Sequence, residues 1–161
     1  MFIVDNVEIP NINNFANFAA AGGTTSLLDA DLIRDVTFLT GGFPAPFGGR
    51  TSSVLQVAQR EGSRERFSGR LSLGAAGLGG ILEGPLGGGA GTWVLSVKRS
   101  VLDAFTKDIG LGGVPVNYSF NTKALYDLSA KDRIWVVNFT GIDNIRLGPT
   151  NDKKQIGRAH V

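Results

Sequence analysis

Cysteine is absent from this 161-residue chain, and methionine and histidine occur once each, with His160 beside the C-terminus. Without cysteine there is no disulfide, thiolate metal site or cysteine nucleophile. One terminal histidine leaves almost nothing from which to build a Ser-His-Asp triad or a His-rich metal site. Neither sign of charge predominates: 16 Lys and Arg against 14 Asp and Glu leave +2, with basic residues interleaved among acids. That balance gives no bulk attraction to nucleic acid. No apolar run approaches the ~20 residues that a membrane-crossing helix needs. A strand-built membrane protein stays open, because its alternation is a weak signal per segment.

Glycine, in contrast, is abundant, with 23 residues. Helices tolerate glycine poorly, so this points to strands, turns and close backbone approaches. Met1-Phe2-Ile3-Val4-Asp5 has no basic n-region or sustained apolar h-region, so either the protein stays inside the cell or the true N-terminus lies upstream. At the other end, Ile156-Gly157-Arg158-Ala159-His160-Val161 is the translation of ATCGGAAGAGCACACGTC, a common sequencing-adapter string. We expect read-through there, a gene continuing past about Lys154, and no biological role for the histidine.

Along the chain, Phe2 to Ile9 reads as a short apolar strand with an Asp5-Asn6 turn, and Pro10 to Asn14 as turn-rich. Phe15 to Thr25 reads as a loop, Ser26 to Ile33 as a short helix or turn, and Arg34 to Thr40 as a strand. From Arg66 long period-2 alternation begins, apolar or glycine at odd positions and mostly polar at even ones. Gly79 to Leu86 is glycine-rich and less regular, and Gly87 to Gly91 is a turn. Thr92 to Ser100 sets Trp93, Leu95 and Val97 opposite Ser96, Lys98 and Ser100. After a long loop from about Val101 to Asn117, Tyr118, Phe120, Ala124, Tyr126 and Leu128 oppose Asn117, Asn121, Lys123 and Asp127. Ser129 to Asp132 is a tight turn, and Arg133 to Asp143 closes the series. Long and short connections alternate, and Trp93, Tyr118, Tyr126 and Trp135 lie near predicted strand ends, as in outer-membrane barrels. A soluble sandwich obeys the same alternation, so periodicity leaves both open.

Several segments resemble TonB-dependent outer-membrane receptors, in which a plug domain sits inside a large β-barrel. Val4-Asp5-Asn6-Val7-Glu8-Ile9-Pro10 is similar to the plug segment (V)DGVEIP, with Asn6 in place of the turn glycine, a mild change because Asn tolerates positive φ. Leu32 to Phe38 resembles the plug strand I-x-x-(I/V)-E-V-(L/Y). Gly41 to Arg50 resembles GGFPA-(R/K)-YG, with Pro46 for the basic residue and Phe47 for the Tyr. Ser52 to Val57 is similar to the last plug strand, and Glu83 to Leu86, Trp93 to Ser100 and Leu102-Asp103 to early barrel strands.

The resemblance implies a mainly β chain with a small α+β plug portion. Residues 1–62 would be the C-terminal part of the plug, 63–145 about five antiparallel strands of an incomplete transmembrane β-barrel, and 146–161 a truncated loop with the adapter-derived tail. It implies a fragment of an energised transporter that is not an enzyme and needs no cofactor. Its partners would be a TonB-type energy-coupling protein acting through a missing N-terminal segment, outer-membrane lipid and an unknown small ligand. Ala75 to Gly79 and Val101 to Asn117 would be external loops. Phe67, Leu71, Leu73, Trp93, Leu95, Val97, Trp135, Val137 and Phe139 would face lipid. Arg70, Ser72, Ser96, Lys98, Asn138 and Thr140 would face the lumen. Phe15, Asn17, Phe18, Phe43, Pro44 and Phe47 are the candidates for ligand or gating loops.

The glycine clusters contain no GxxxxGK[ST] and no GxGxxG between a strand and a helix, so a nucleotide cradle is not indicated. No spacing singles out an acid/base pair among Asp29, Asp31, Asp35, Glu61, Glu65 and Glu83. Glu83, alone in an apolar strand, is expected to pair with a plug arginine. Arg60, Glu61, Arg64, Glu65 and Arg66 form a charged junction that either ties the two parts together or is a solvated linker. The expected function is energised uptake of a scarce ligand across the outer membrane. The alternatives are a soluble or surface β-sandwich binding module and a non-energised porin-like barrel.

Overall fold

The computed structural model describes residues 1–14, 25–47, 52–74, 77–101 and 113–147. The chain is mainly β, and its longer strands form two sheets. In the N-terminal sheet, β1 (Phe2–Val4) and β2 (Val7–Ile9) form a hairpin, turned by Asp5 and Asn6 at φ 46° and 66°. Positive φ at both central residues is what the twist-matched two-residue hairpin requires, and Asp and Asn reach it at low cost. Two short strands, β3 (Asn13–Asn14) and β4 (Thr25–Ser26), pair with each other. A 3-10 turn at Ala30–Leu32 follows, then β5 (Ile33–Leu39) and, after a second 3-10 turn at Ala45–Phe47, β6 (Val54–Gln59). β6 lies parallel to β1 and antiparallel to β5, giving the order β2-β1-β6-β5. Val4, Leu28 and Val57 are buried together, with Ile9, Ile12, Ile33 and Leu55 against them.

The C-terminal sheet is an antiparallel meander of β7 (Ser68–Gly74), β8 (Gly77–Leu86), β9 (Gly91–Arg99), β10 (Gly113–Asp127) and β11 (Arg133–Leu147). Gly87, Gly88 and Gly89 turn β8 into β9 at φ 56°, 70° and 99°, values that side-chain-bearing residues rarely adopt. The linker from β6 runs against β9 so closely that a Cβ on Gly62 would lie 2.1 Å from the Trp93 carbonyl oxygen.

Cross-strand partners share a face, so the register assigns each side chain. Arg70, Ile81, Ser96, Asn121 and Phe139 fall in one row, which puts them on one face. That face is covered by the N-terminal sheet: Val94, Ser96, Asn121 and Lys123 are buried, and Phe139 packs on the Val4 cluster. The opposite face carries Leu71, Leu82, Leu95, Val97, Phe120 and Val136. It is bare, with Leu71 87% and Val136 63% exposed.

The structure departs from sequence expectation in four places. The segment before β5 shortens to a 3-10 turn, because Asp29 accepts from the Asp31 N–H and Ile33 is already extended. Gly79 to Leu86 belongs to a continuous ten-residue strand, its glycines fitting beneath large neighbours. The predicted loops shrink: β10 already begins at Gly113, and Gly74 pairs with Gly77, so β7 and β8 are joined through residues 75–76 alone. Finally, β11 is inverted relative to expectation. Trp135, Val137 and Phe139 share the covered face with Leu125, Lys123 and Asn121, whereas Asn138 and Thr140 lie on the bare face. Ile134-Trp135-Val136-Val137 is apolar at both parities, so alternation does not choose its face. The Asp127↔Arg133 register does, and a one-residue difference flips every side chain.

Candidate functional site

The side chains with the densest polar connections lie where the N-terminal sheet and the 60–66 linker meet the covered face. Asp29 N-caps the Ala30–Leu32 turn through its Oδ1, 3.0 Å from the Asp31 N–H. Its side chain is fully buried, with Lys98 Nζ 2.5 Å from Oδ1 and the Ser96 hydroxyl donating to Oδ2. Burial alone would raise its pKa, but hydrogen bonds from Lys98, Ser96 and the Asp31 N–H, with the Lys98 charge, outweigh burial and hold the carboxyl below its ordinary value. Lys123 makes the second buried connection. Its Nζ donates to Asp5 Oδ1 at 3.0 Å and to the Gln59 carbonyl at 2.9 Å, while the Gln59 N–H donates to the same Asp5 oxygen at 3.0 Å. Asn121 Nδ2 adds a bond to the Leu27 carbonyl at 3.0 Å. Among the described residues, the buried apolar clusters here are Leu32 against Ile81 and Val94, and Phe139 on the Val4 cluster.

The junction residues form a second, wetter layer. Arg60 pairs with Glu83 and donates to the Asp31 carbonyl at 3.0 Å, and Ser68 Oγ donates to Glu83 at 2.9 Å. Arg64 reaches Asp127 at 2.7 Å and Glu61 at 3.8 Å, and Arg133 reaches the same two acids at 2.6 and 3.4 Å. Arg60 thus ties the linker to β8, and Arg64 and Glu61 tie it to the end of β10 and the start of β11. Glu65 and Arg66 stay exposed, their N–H groups donating to Ser63 Oγ.

Among the other sequence candidates, Phe43, Pro44 and Phe47 lie in the connection at the Leu39–Val54 end of β5 and β6, with the Phe47 N–H 2.8 Å from the Pro44 carbonyl. The junction is at the opposite, Ile33–Gln59 end, so the two groups are not brought together. Phe15, Asn17, Phe18 and residues 148–161 lie outside the described residues. Sequence reading did not single out Asp5, Asp29 and Lys123 as partners. The available signal was a lysine and asparagines at every second position of β10 together with an aspartate before a short turn.

Chemically the arrangement holds two surfaces together through charge and hydrogen bonds. Four buried polar atoms on this side of the sheet, Asp5 Oδ2, Gln59 Nε2, Asn117 Oδ1 and Asn121 Oδ1, find no partner among the described residues. The contact is therefore polar and incompletely satisfied, unlike a dry core. No protein-family profile matches this chain, and no curated protein or solved structure does either.

Proposed function

We propose that the C-terminal sheet is a wall segment of an outer-membrane β-barrel and the N-terminal sheet a portion of a plug inside it. The chain would then be part of a TonB-dependent type of receptor that takes up a scarce small ligand. The observation that carries this is inverted polarity. On β9 and β10 the covered face bears Thr92, Ser96, Lys98, Ser119, Asn121 and Lys123, whereas the bare face of β7 to β10 bears mostly leucines, valines and aromatics; β11 departs from this, with Asn138 and Thr140 on the bare face. A soluble sandwich buries its apolar face and wets its polar one. A membrane barrel does the reverse.

Aromatic placement supports the same reading. Phe67 and Trp93 pack on the bare face at one end of the sheet with ring centroids 6.0 Å apart, and Tyr126 lies at that same end. Near the other end Tyr118 lies opposite Arg99, whose guanidinium is 5.8 Å from the ring centroid. From Trp93 to Arg99 the strand advances about 20 Å at ~3.4 Å per residue, close to the ~25 Å apolar band of such barrels. Within this reading lipid contacts the bare face, an energy-coupling protein acts on a segment preceding the plug, and the polar interface is a joint that can be released.

The two tryptophans test it, because the register puts Trp93 on the bare face and Trp135 on the covered face. With the chain refolded into bilayers containing brominated lipid, a W135F variant, reporting Trp93, should be strongly quenched, and W93F, reporting Trp135, much less. Absence of quenching from Trp93 would sink the proposal in favour of a soluble module.

A further inference from the structure

One group of charges is left over from the network described above. Arg60, Arg66, Ser68, Arg70, Glu83 and Ile81 line a cavity of about 300 Å³ on the covered face beside β7. Three guanidinium groups face one carboxylate, and that carboxylate is already engaged by Arg60 at one oxygen and Ser68 at the other. Neither the Arg66 nor the Arg70 side chain makes an ion pair or hydrogen bond among the described residues. Both backbones are nonetheless fixed: Arg66 by its N–H on Ser63 Oγ at 3.2 Å, and Arg70 by pairing with Ile81 in the β7–β8 ladder. Arg70 acts on Glu83 only through its charge, without a hydrogen bond, so two guanidinium forks with no hydrogen-bonded acid line one concavity, with net charge 3 − 1 = +2 among its lining residues.

We propose that this cavity binds a small oxyanion, with Arg66 and Arg70 supplying the direct contacts and Arg60, held in place by Glu83, adding positive field. Guanidinium forks match the geometry of phosphate and carboxylate and form charge-assisted, bidentate hydrogen bonds with them. The site does not depend on whether the bare face meets lipid, so its failure and that of the barrel reading are separable.

Inorganic phosphate is the probe, titrated calorimetrically into the full chain refolded in detergent, with ionic strength held constant by chloride because screening weakens all such contacts. Saturable one-site binding is expected, weakened about tenfold or more in R66Q/R70Q through loss of both forks. R34Q, which removes an equal charge from exposed Arg34 on β5, should leave binding unchanged. E83Q should act in the opposite direction and tighten phosphate binding about threefold by removing the one acid facing the anion. R70K provides the same test should the double variant not fold, since it keeps the charge and loses the fork. Displacement of phosphate by soluble dihexanoyl phosphatidic acid would assign the site to a lipid headgroup, and its absence to a free anion. The absence of saturable binding, or equal weakening in R34Q, would overturn the proposal.

Discussion

The two sheets of this chain apply one alternation rule in opposite senses. In the N-terminal sheet the buried side is apolar, with Val4, Leu28 and Val57 gathered into a small core while Val7, Val36 and Phe38 stay exposed. In the C-terminal sheet the buried side is the polar one, with Ser96 and Asn121 almost wholly covered while Leu71 and Leu73 stand free. The first sheet therefore has a small hydrophobic core of its own, whereas the second buries only a few apolar side chains, Ile81, Val94, Val116 and Leu125 among them. Their contact rests on Asp29 with Lys98 and Ser96, Lys123 with Asp5, and a rim of arginines and acids. A largely polar interface of this type holds two bodies in register through charge and hydrogen bonds, with Leu32, Ile81, Val94 and Phe139 adding apolar contact.

That contrast can be broken from either side, and the largest effect is expected on the bare face. Leu82→Arg, near the middle of β8, should destabilise the bilayer-inserted chain by about 2–4 kcal/mol, read from denaturant titration of refolding into vesicles. In a soluble protein an exposed Leu→Arg change would shift stability by less than about 0.5 kcal/mol, so the same measurement discriminates between the two readings.

On the covered face, Asp29→Ala leaves Lys98 and Ser96 without their acceptor. We expect a loss of about 3 kcal/mol, the low end for breaking a buried pair because Lys98 keeps some solvent contact, seen as earlier hydrogen exchange of β5 and β6 amides. The same carboxylate sets a pH dependence. Its pKa is lowered in the folded chain from the ordinary 3.8, so the unfolded chain binds the proton more tightly. The stabilisation is therefore fully present above about pH 3.8 and is lost as pH falls through the lowered value. Acid titration of the wild type should show a loss of docking there that D29A lacks.

The rim should matter least. Arg64→Ala removes partly exposed pairs with Asp127 and Glu61 and should cost no more than about 1 kcal/mol, a difference that vanishes in high salt. A larger, salt-independent effect would show that the linker is a structural clamp, and would erase the distinction between the two polar layers.

How much was legible in advance depended on whether a segment's two faces differed in polarity. Thr92 to Ser100 and Tyr118 to Leu128 alternate cleanly, so their faces could be assigned by eye, and the register agrees. Ile134 to Val137 is apolar at both parities, so the side of Trp135 was set by the turn after Asp127 and could not be read locally. The glycines of β8 concealed a strand for a related reason. A residue without a side chain adds nothing to a periodicity, although it lets the ladder pass under Leu71 and beside Trp93. The junction charges were visible as a run, and Glu83 stood out as a lone acid in an apolar stretch. Their specific partners were not visible, because Arg64 with Asp127 and Lys123 with Asp5 join residues far apart along the chain.

By itself, then, the sequence determined that this chain builds strands, that most of its later strands have one apolar and one polar face, and where its tightest turns fall. These properties follow from side-chain spacing and from residues such as Asp5-Asn6 and Gly87 to Gly89 whose backbone preferences are local. Only the tertiary structure decided which face is covered. That choice comes from strand register and from the docking of one sheet on another, and it sums contacts that no local window contains. It turned a set of alternating strands into a sheet whose β7 to β10 hold their more polar side buried and their apolar side bare, with β11 set the other way by its register.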